Sequence, residues 1–428
     1  MTHRGRTRRS ALRVALAAAV ALASPLLLLS SQGSPASASP TPNAVVTWDA
    51  LAQESIWDVA QQPPNAQGRS FAIVHGAIYD AVNAIAGKPY QPYLGAPAAT
   101  GTESVDAAVA TAAFRTLEWL FPAQQAAIQA KYDTFMAGIP DGTPKTAGAA
   151  IGQQTAAAMI VARTNDGAFG PRQWVNGTTP GAWRPTPPTF ASDGAWTMDV
   201  KPFLIPKASA FTTAGPPKLT STQYAKEYNE VKAIGAVNST TRTADQTDSA
   251  KWWHDRKLTE WEIKRQLAVN NGLTNLQAAR MFAMVDMTET DAIIACYYEK
   301  YKWNFWRPVT AIQQGASDGN AATAGDPAWM PLLVTPPFPE YTSGHTCYTS
   351  ASMGTLAYFY GTDRMNFHAT SAVTGTTRYF TSFSGAVKEV VEARIWGGIH
   401  YRSADVQGVG IGTKTLSYMI PRYFRPNY

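Results

Sequence analysis

Residues 71–87 read Phe-Ala-Ile-Val-His-Gly-Ala-Ile-Tyr-Asp-Ala-Val-Asn-Ala-Ile-Ala-Gly, and this stretch decides the fold class. Apolar side chains recur at three-four spacing, Ser70 stands where an N-cap belongs, and Gly87 offers a stop, so the segment predicts a helix. The same period extends outward. Trp48 to about Ala60 is amphipathic, Ser104 caps a helix to about Phe121, Pro122 opens another, and Thr143-Pro144 places a cap before a first-turn proline. Strand-like alternation is nearly absent. From residue 166 to 221 the texture changes, and GPRQWVNGTTPGAWRPTPPTF (170–190) keeps no helical period. A loop this long in a compact protein wraps the surface or shapes a cavity. Helices resume at about 222–233, 244–270, 274–303 with Thr274 as cap, 345–360, 384–396 and 404–420. The expected architecture is all-α: an N-terminal helical bundle over 39–165, an irregular Pro/Gly-rich link over 166–221, and a C-terminal bundle over 222–428.

The 428 residues are 45% hydrophobic and 15% charged, which suits a core-forming globular chain and excludes a disordered or coiled-coil one. Residues 1–38 read as an export signal: Arg4, Arg6, Arg8, Arg9 and Arg13, an apolar run from about Ala11 to Leu29, then Ala36-Ser37-Ala38 as an A-x-A cleavage pattern. Arg8-Arg9 is compatible with a twin-arginine signal. The expectation is a secreted, extracellular protein without a membrane anchor, the apolar run being short and interrupted by Pro25. Removing this segment leaves 31 basic against 30 acidic residues, which withdraws support for nucleic-acid binding through a basic surface. Cys296 and Cys347 are the only two cysteines, too few for a disulfide scaffold or a four-thiolate zinc site. One bridge or two buried thiols both remain open.

Three short stretches concentrate the unusual residues. In Lys300-Tyr-Lys-Trp-Asn-Phe-Trp-Arg307-Pro308, a continuous helix would point both end cations the same way, about 20° apart, among Trp303, Phe305 and Trp306. Like charges on one face call for an anion between them. In Thr342-Ser343-Gly344-His345, placement at a helix N-terminus would turn Ser343 and the Gly344 amide toward an anion, with His345 beside them as a proton-transfer group. In Arg394-Ile-Trp-Gly-Gly-Ile-His400, the glycine pair breaks the helix and lets both end side chains converge. Asp405 then stands where it could hold the His400 ring. Lysine, two arginines, a hydroxyl, an amide and two histidines suit a tetrahedral oxyanion. Elbow, zincin, P-loop and haem-attachment motifs are missing.

The order Lys-x6-Arg-Pro, Ser-Gly-His, Arg-x5-His resembles the shared signature of vanadium-dependent haloperoxidases and their related acid phosphatases. VHGAIYDAVNAI, PGAWRPTPP, PPFPEYTSGHT and EARIWGGIHYRSAD are similar to the bacterial secreted haloperoxidase branch. The resemblance spans most of the chain after residue 38 and implies a vanadium chloroperoxidase-like fold. Three departures stand out: Thr342 where the family often has proline, Ala393 where it often has serine, and Ala404 at the usual acidic position, with Asp405 one later.

The resemblance implies vanadate as cofactor, bonded to the metal by His400 and held by Lys300, Arg307, Arg394, Ser343 and the Gly344 amide. It implies that His345 takes a proton from hydrogen peroxide and Lys300 polarises the bound peroxide toward halide. The product would be hypohalous acid or a halogenated organic substrate. The alternative implied by the same residues is a secreted acid phosphatase, with a phosphohistidine at His400 and His345 as leaving-group acid. Elsewhere, His75 reads as a core or interhelical hydrogen-bonding residue and His254 and His368 as surface or loop histidines. Tyr297, Phe338 and Trp306 are candidates to line the pocket.

Overall fold

The computed structural model describes residues 43–255 and 260–427; the expected export signal lies outside them. Helix α1 (Ala44–Gln53) is capped by the Asn43 side chain, which accepts from Val46 N, and runs on as a π turn over Glu54–Val59. Helix α2 (Pro64–Ile85) begins six residues before the expected cap. Pro64 pre-sets the first turn, so Ser70 lies inside the helix and its hydroxyl donates back to Gln62 at 2.8 Å. Helix α3 (Val105–Leu120) does start at Ser104, whose Oγ accepts from Ala107 N. A single 3-10 turn at Pro122–Gln124 leads into α4 (Gln125–Ala137). In α5 (Thr143–Arg163) the cap is Gly142, at φ 141°, rather than Thr143.

Residues 166–221 carry only two short 3-10 turns, Ala195–Asp199 and Ala208–Ala210. Buried polar groups tie this segment down. Asp291 accepts from Phe203, Leu204 and Ile205 N at 2.6–2.7 Å, and Arg69 grips Asp166 through two hydrogen bonds. These bonds meet the backbone's obligatory demand where no regular ladder does.

Helix α6 (Thr222–Ile234) follows, and the expected 244–270 helix is two: α7 (Ala244–Trp252) and α8 (Glu260–Asn270). The Trp252–Trp253 pair draws the chain off the helix axis, its indole N–H groups donating to Thr376 O and Glu389. Helix α9 (Asn275–Trp303) opens on a Thr274/Gln277 capping box and ends at Asn304 in the left-handed region, φ 44°. Then come α10 (Pro308–Gln313) and α11 (Gly344–Tyr360). A hairpin the periodicity did not reveal, β1 (Arg364–Thr370) with β2 (Thr377–Ser382), pairs Phe367 with Phe380 and carries an irregularity between Arg364 and Phe367. Helices α12 (Phe383–Trp396) and α13 (Arg402–Met419) complete the chain. The fold is mostly helical, as expected.

One hydrophobic cluster runs from Ala44 to Phe424 and draws on both helical halves. At its centre α2 lies on α9: a Cβ on Gly76 would come within 2.3 Å of Met159 Cε and 2.5 Å of Met287 Cε. No helix among the described residues is long and apolar enough to cross a membrane.

Candidate oxyanion site

The seven expected site residues sit at helix ends, where backbone groups and side chains can face one point. Lys300 is in the last turn of α9, while Arg307 is the N-cap residue of α10. They do not share a helix face as a continuous helix would require, because Asn304 ends α9 in the left-handed region and Arg307 stands extended before Pro308; the turn itself brings the two cations together. Ser343 precedes α11 and Gly344 opens it, so the Gly344 N–H has no intrahelical acceptor. A Cβ there would meet only Ile293 Cδ1 at 3.9 Å, so the glycine leaves space above its amide. Arg394 ends α12, and Gly398, at φ 76°, turns the chain so that His400 returns to Arg307.

Arg307 Nη1 donates to His400 Nε2 at 3.2 Å and to Ile399 O at 2.8 Å, and its Nε donates to Phe338 O. Lys300 Nζ donates to Pro339 O at 2.8 Å and Glu340 O at 3.1 Å, which leaves one N–H to spare. Arg394 Nη1 donates to Trp253 O. Three buried donor atoms remain without a partner, Arg307 Nη2 and Arg394 Nε and Nη2, while the Ser343 hydroxyl faces the Asp405 carboxyl. Buried donors are rarely left unpaired, since each costs about 1–3 kcal/mol. A chemically matched guest would be an oxyanion, and the donors present fit vanadate.

The electrostatics agree. Burial, aided by Arg307, pushes the Lys300 ammonium down to about 8. Burial lowers Arg307 to about 10 and, with Arg307 beside it, Arg394 to about 9. Both His345 and His400 are pushed well down by burial and by these same cations, so each imidazole is neutral. These cations share the site with two buried carboxyls, Glu340 and Asp405, both raised by burial.

Sequence reasoning misplaced the support of His400. Its Nδ1 faces Glu340 Oε1 at 3.0 Å, not Asp405. Asp405 sits in the first turn of α13, fully buried; its carboxyl is raised well above its ordinary value by burial, with the Ser343 hydroxyl and Arg394 pulling it back. Glu340 precedes the Ser-Gly-His motif inside PPFPEYTSGHT and is held by Tyr401 N at 2.9 Å. The missed signal was an acid amid three prolines and two aromatics, a poor place for a solvated charge.

A cavity of about 430 Å³ opens onto Gly344 and His345, with walls that include Trp253, Tyr297, Phe338 and Tyr348. His254, expected as a surface or loop histidine, lies in the turn after α7 and lines the cavity, whereas Trp306 is fully buried and does not. His368 is on β1 and hydrogen-bonds Gln266. Cys296 and Cys347 are buried free thiols sharing the Thr342 hydroxyl. Among the described residues, Asp49, His75 and Asp286 are grouped closely enough to hold a metal ion, but the Lys264 ammonium already bonds Asp286 and lies 3.0 Å from Asp49. His75 is the interhelical hydrogen-bonding residue expected, 2.8 Å from Asp49.

Residues 280–424 match the family described as the VCPO second helical-bundle domain, a span that contains all seven site residues. A crystal structure of a bacterial vanadium-dependent iodoperoxidase superposes with a TM-score of 0.76 at 25% identity, covering 91% of this chain and 98% of that one. The chain is a vanadium haloperoxidase-like protein. A holo bacterial vanadium-dependent chloroperoxidase shares the fold, with a TM-score of 0.70 at 14% identity over 89% of this chain and 97% of that one. The vanadium chloroperoxidase of Curvularia inaequalis is 29% identical over 182 residues, which are 34% of this chain and 29% of that enzyme's length. Across this haloperoxidase-like fold, then, sequence likeness to the curated relative covers about a third of the chain, while the fold match takes in nearly all of it.

Proposed function

We propose that this chain is a vanadate-dependent haloperoxidase that uses hydrogen peroxide to oxidise halide to hypohalous acid or to halogenate an organic substrate. The observation that carries this reading is the pair of guanidiniums with unpaired buried donors, Arg307 and Arg394, the first of them in contact with the His400 ring. Those two residues, with Ser343, Lys300 and the Gly344 amide, would hold vanadate, and His400 Nε2 would bond the metal. When bound, vanadate supplies a Lewis-acid centre that activates peroxide without changing oxidation state.

The chain's own residues do the rest. Glu340 and Arg307 keep the His400 proton on Nδ1 and its lone pair on Nε2. Lys300, Arg307 and Arg394 form a fixed positive field that needs no reorganisation during reaction. His345, held neutral by burial and those cations, serves as the base for the peroxide proton. The spare Lys300 N–H is left to polarise an oxygen of the guest. The same donors fit phosphate, but the relatives support the peroxidase over the phosphatase.

A paired assay tests this. The purified chain from Ser39 is given orthovanadate, peroxide and iodide, bromide or chloride, and separately an aryl phosphate without vanadate. Vanadate-dependent halogenation of an activated ketone is expected; phosphate-ester turnover with no halogenation would sink the reading. We further place the protein outside the cytoplasm, from the export pattern of residues 1–38. N-terminal sequencing of secreted material should then begin at Ser39.

A further inference from the structure

Glu289 and Tyr348 have no part in the chemistry above. Tyr348 lies one turn after His345 on α11, walls the same cavity, and hydrogen-bonds Glu289 Oε1 through its hydroxyl. Glu289, on α9, is fully buried, and its Oε2 has no partner. One turn earlier on α9, Asp286 bonds Lys264 of α8 and faces His75 of α2 at 3.8 Å. Lys264 in turn lies 3.0 Å from Asp49 of α1, and Asp49 accepts from Arg265 at 2.6 Å, where the network nears the surface. Glu260, the remaining acid near Glu289, accepts from Thr349 at 2.6 Å.

Local contacts separate the carboxyls. Lys264 and Arg265 bond Asp49 and Asp286, and Glu289 lies beside them in a packed interior that strongly disfavours an uncompensated ion. Asp49 and Asp286 each touch a cation; Glu289 touches only a hydroxyl. Burial above all, then the neighbouring Asp286, raises the Glu289 carboxyl well above its ordinary value. It therefore holds a proton at neutral pH, one hydroxyl away from the cavity.

Oxidation of halide takes up a proton: hydrogen peroxide, halide and one proton give hypohalous acid and water. His345, as the base, returns only the proton it takes from peroxide, so one more must come from elsewhere. We propose that Glu289 supplies this proton through the Tyr348 hydroxyl. In the resting arrangement the Tyr348 hydroxyl donates to Glu289 Oε1; for transfer it turns, so that its own proton passes to water in the cavity while Oη takes the proton from the breaking Glu289 O–H bond. Tyr348 ends as it began. Glu289, left as a carboxylate, regains a proton from solvent by the reverse path before the next turnover.

The inference rests on the proposed haloperoxidase activity, so one measurement is made apart from it. Infrared spectra of the vanadate-free protein at neutral pH should show a protonated-carboxyl C=O band that shifts in deuterated water and vanishes in Glu289→Gln. With vanadate, peroxide and halide, Tyr348→Phe should lower kcat at least about tenfold on the alkaline side, the modest end for a lost proton donor, while the peroxide KM and the acid-side rate hold. A missing band, or a Tyr348→Phe pH profile matching the parent, overturns the relay. A parent protein inactive with every halide overturns the haloperoxidase reading and the delivery role together, while the band still reports the Glu289 proton.

Discussion

His400 presents Nδ1 to Glu340 Oε1 at 3.0 Å, and that same oxygen accepts from Tyr401 N at 2.9 Å. An oxygen already receiving a backbone N–H is an acceptor toward the ring as well, so the imidazole proton belongs on Nδ1. Arg307 Nη1, at 3.2 Å from Nε2, selects the same tautomer from the other side, since a guanidinium only donates. The ring is thus prepared to offer a lone pair at Nε2. Orientation rather than charge is what Glu340 contributes, and the two can be separated. Glu340→Ala should weaken vanadate binding about 10- to 100-fold in equilibrium dialysis, the usual range for loss of a partner to a metal-bonded histidine. Glu340→Gln, which keeps an acceptor oxygen, should retain most of it. Equal losses in the two variants would contradict the orientation argument.

His400→Ala removes the one side chain assigned to the metal itself. Vanadate binding and both halogenating and phosphate-ester activities should disappear, although the lost ring leaves only Arg307 Nη1 and Glu340 short of a contact. Vanadate-dependent turnover surviving in this variant would refute the assignment.

His345→Ala should behave differently. The ring lines the cavity and makes no hydrogen bond to the donor cluster that would cradle the anion. Vanadate binding should persist, measured again by dialysis, while kcat with peroxide falls about 10²- to 10⁴-fold, the worth of a positioned base. A variant that halogenates at the parent rate would show that the peroxide proton goes elsewhere.

The site was more legible than the way it is built. Lys300, Arg307, Ser343, Gly344, His345, Arg394 and His400 stood out as charged or polar residues in apolar, aromatic surroundings, and the fold brings Arg307 and His400 into contact. Their placement on elements was misread where a local signal competed with a stronger neighbour. Asn304 ends α9 and Arg307 stands extended before Pro308, so no continuous helix joins Lys300 to Arg307, and Pro64 starts α2 upstream of Ser70. Glu340 was passed over because support for His400 was sought a few residues downstream, whereas the supporting acid is 60 residues upstream and adjacent only in space. The β1–β2 hairpin escaped notice because only its central positions, such as Phe367 and Phe380, alternate cleanly with exposed neighbours.

Gly408 shows how the anion loop is held. A Cβ there would stand 2.1 Å from Thr346 Oγ1 and 2.7 Å from Ser343 O, so α13 rests directly on the start of α11. Gly408→Ala must push that contact apart. It should cost about 1–3 kcal/mol in denaturant unfolding, as overpacking does, and weaken vanadate binding because Ser343 moves with the loop. Gly410→Ala, where nothing lies within 4 Å, is the control and should do neither.

Asp49 governs the acid limit of the fold. Burial alone would raise its carboxyl, but Lys264 and Arg265, with a hydrogen bond from His75, reverse that and hold it well below its ordinary 3.8. A carboxyl depressed in the folded state stabilises the protein at any pH above its unfolded value, and that contribution is lost as pH falls through the folded value. Asp49→Asn should therefore lower stability at neutral pH by about 3–5 kcal/mol, the cost of removing one partner from a buried ion network. Its stability should also decline less steeply than the parent's as pH is lowered below 3.8. Urea unfolding across that range measures both effects. Parallel pH curves for parent and variant would mean that the stability lost on acidification comes from other carboxyls, and that the Asp49 contacts with Lys264 and Arg265 are energetically silent.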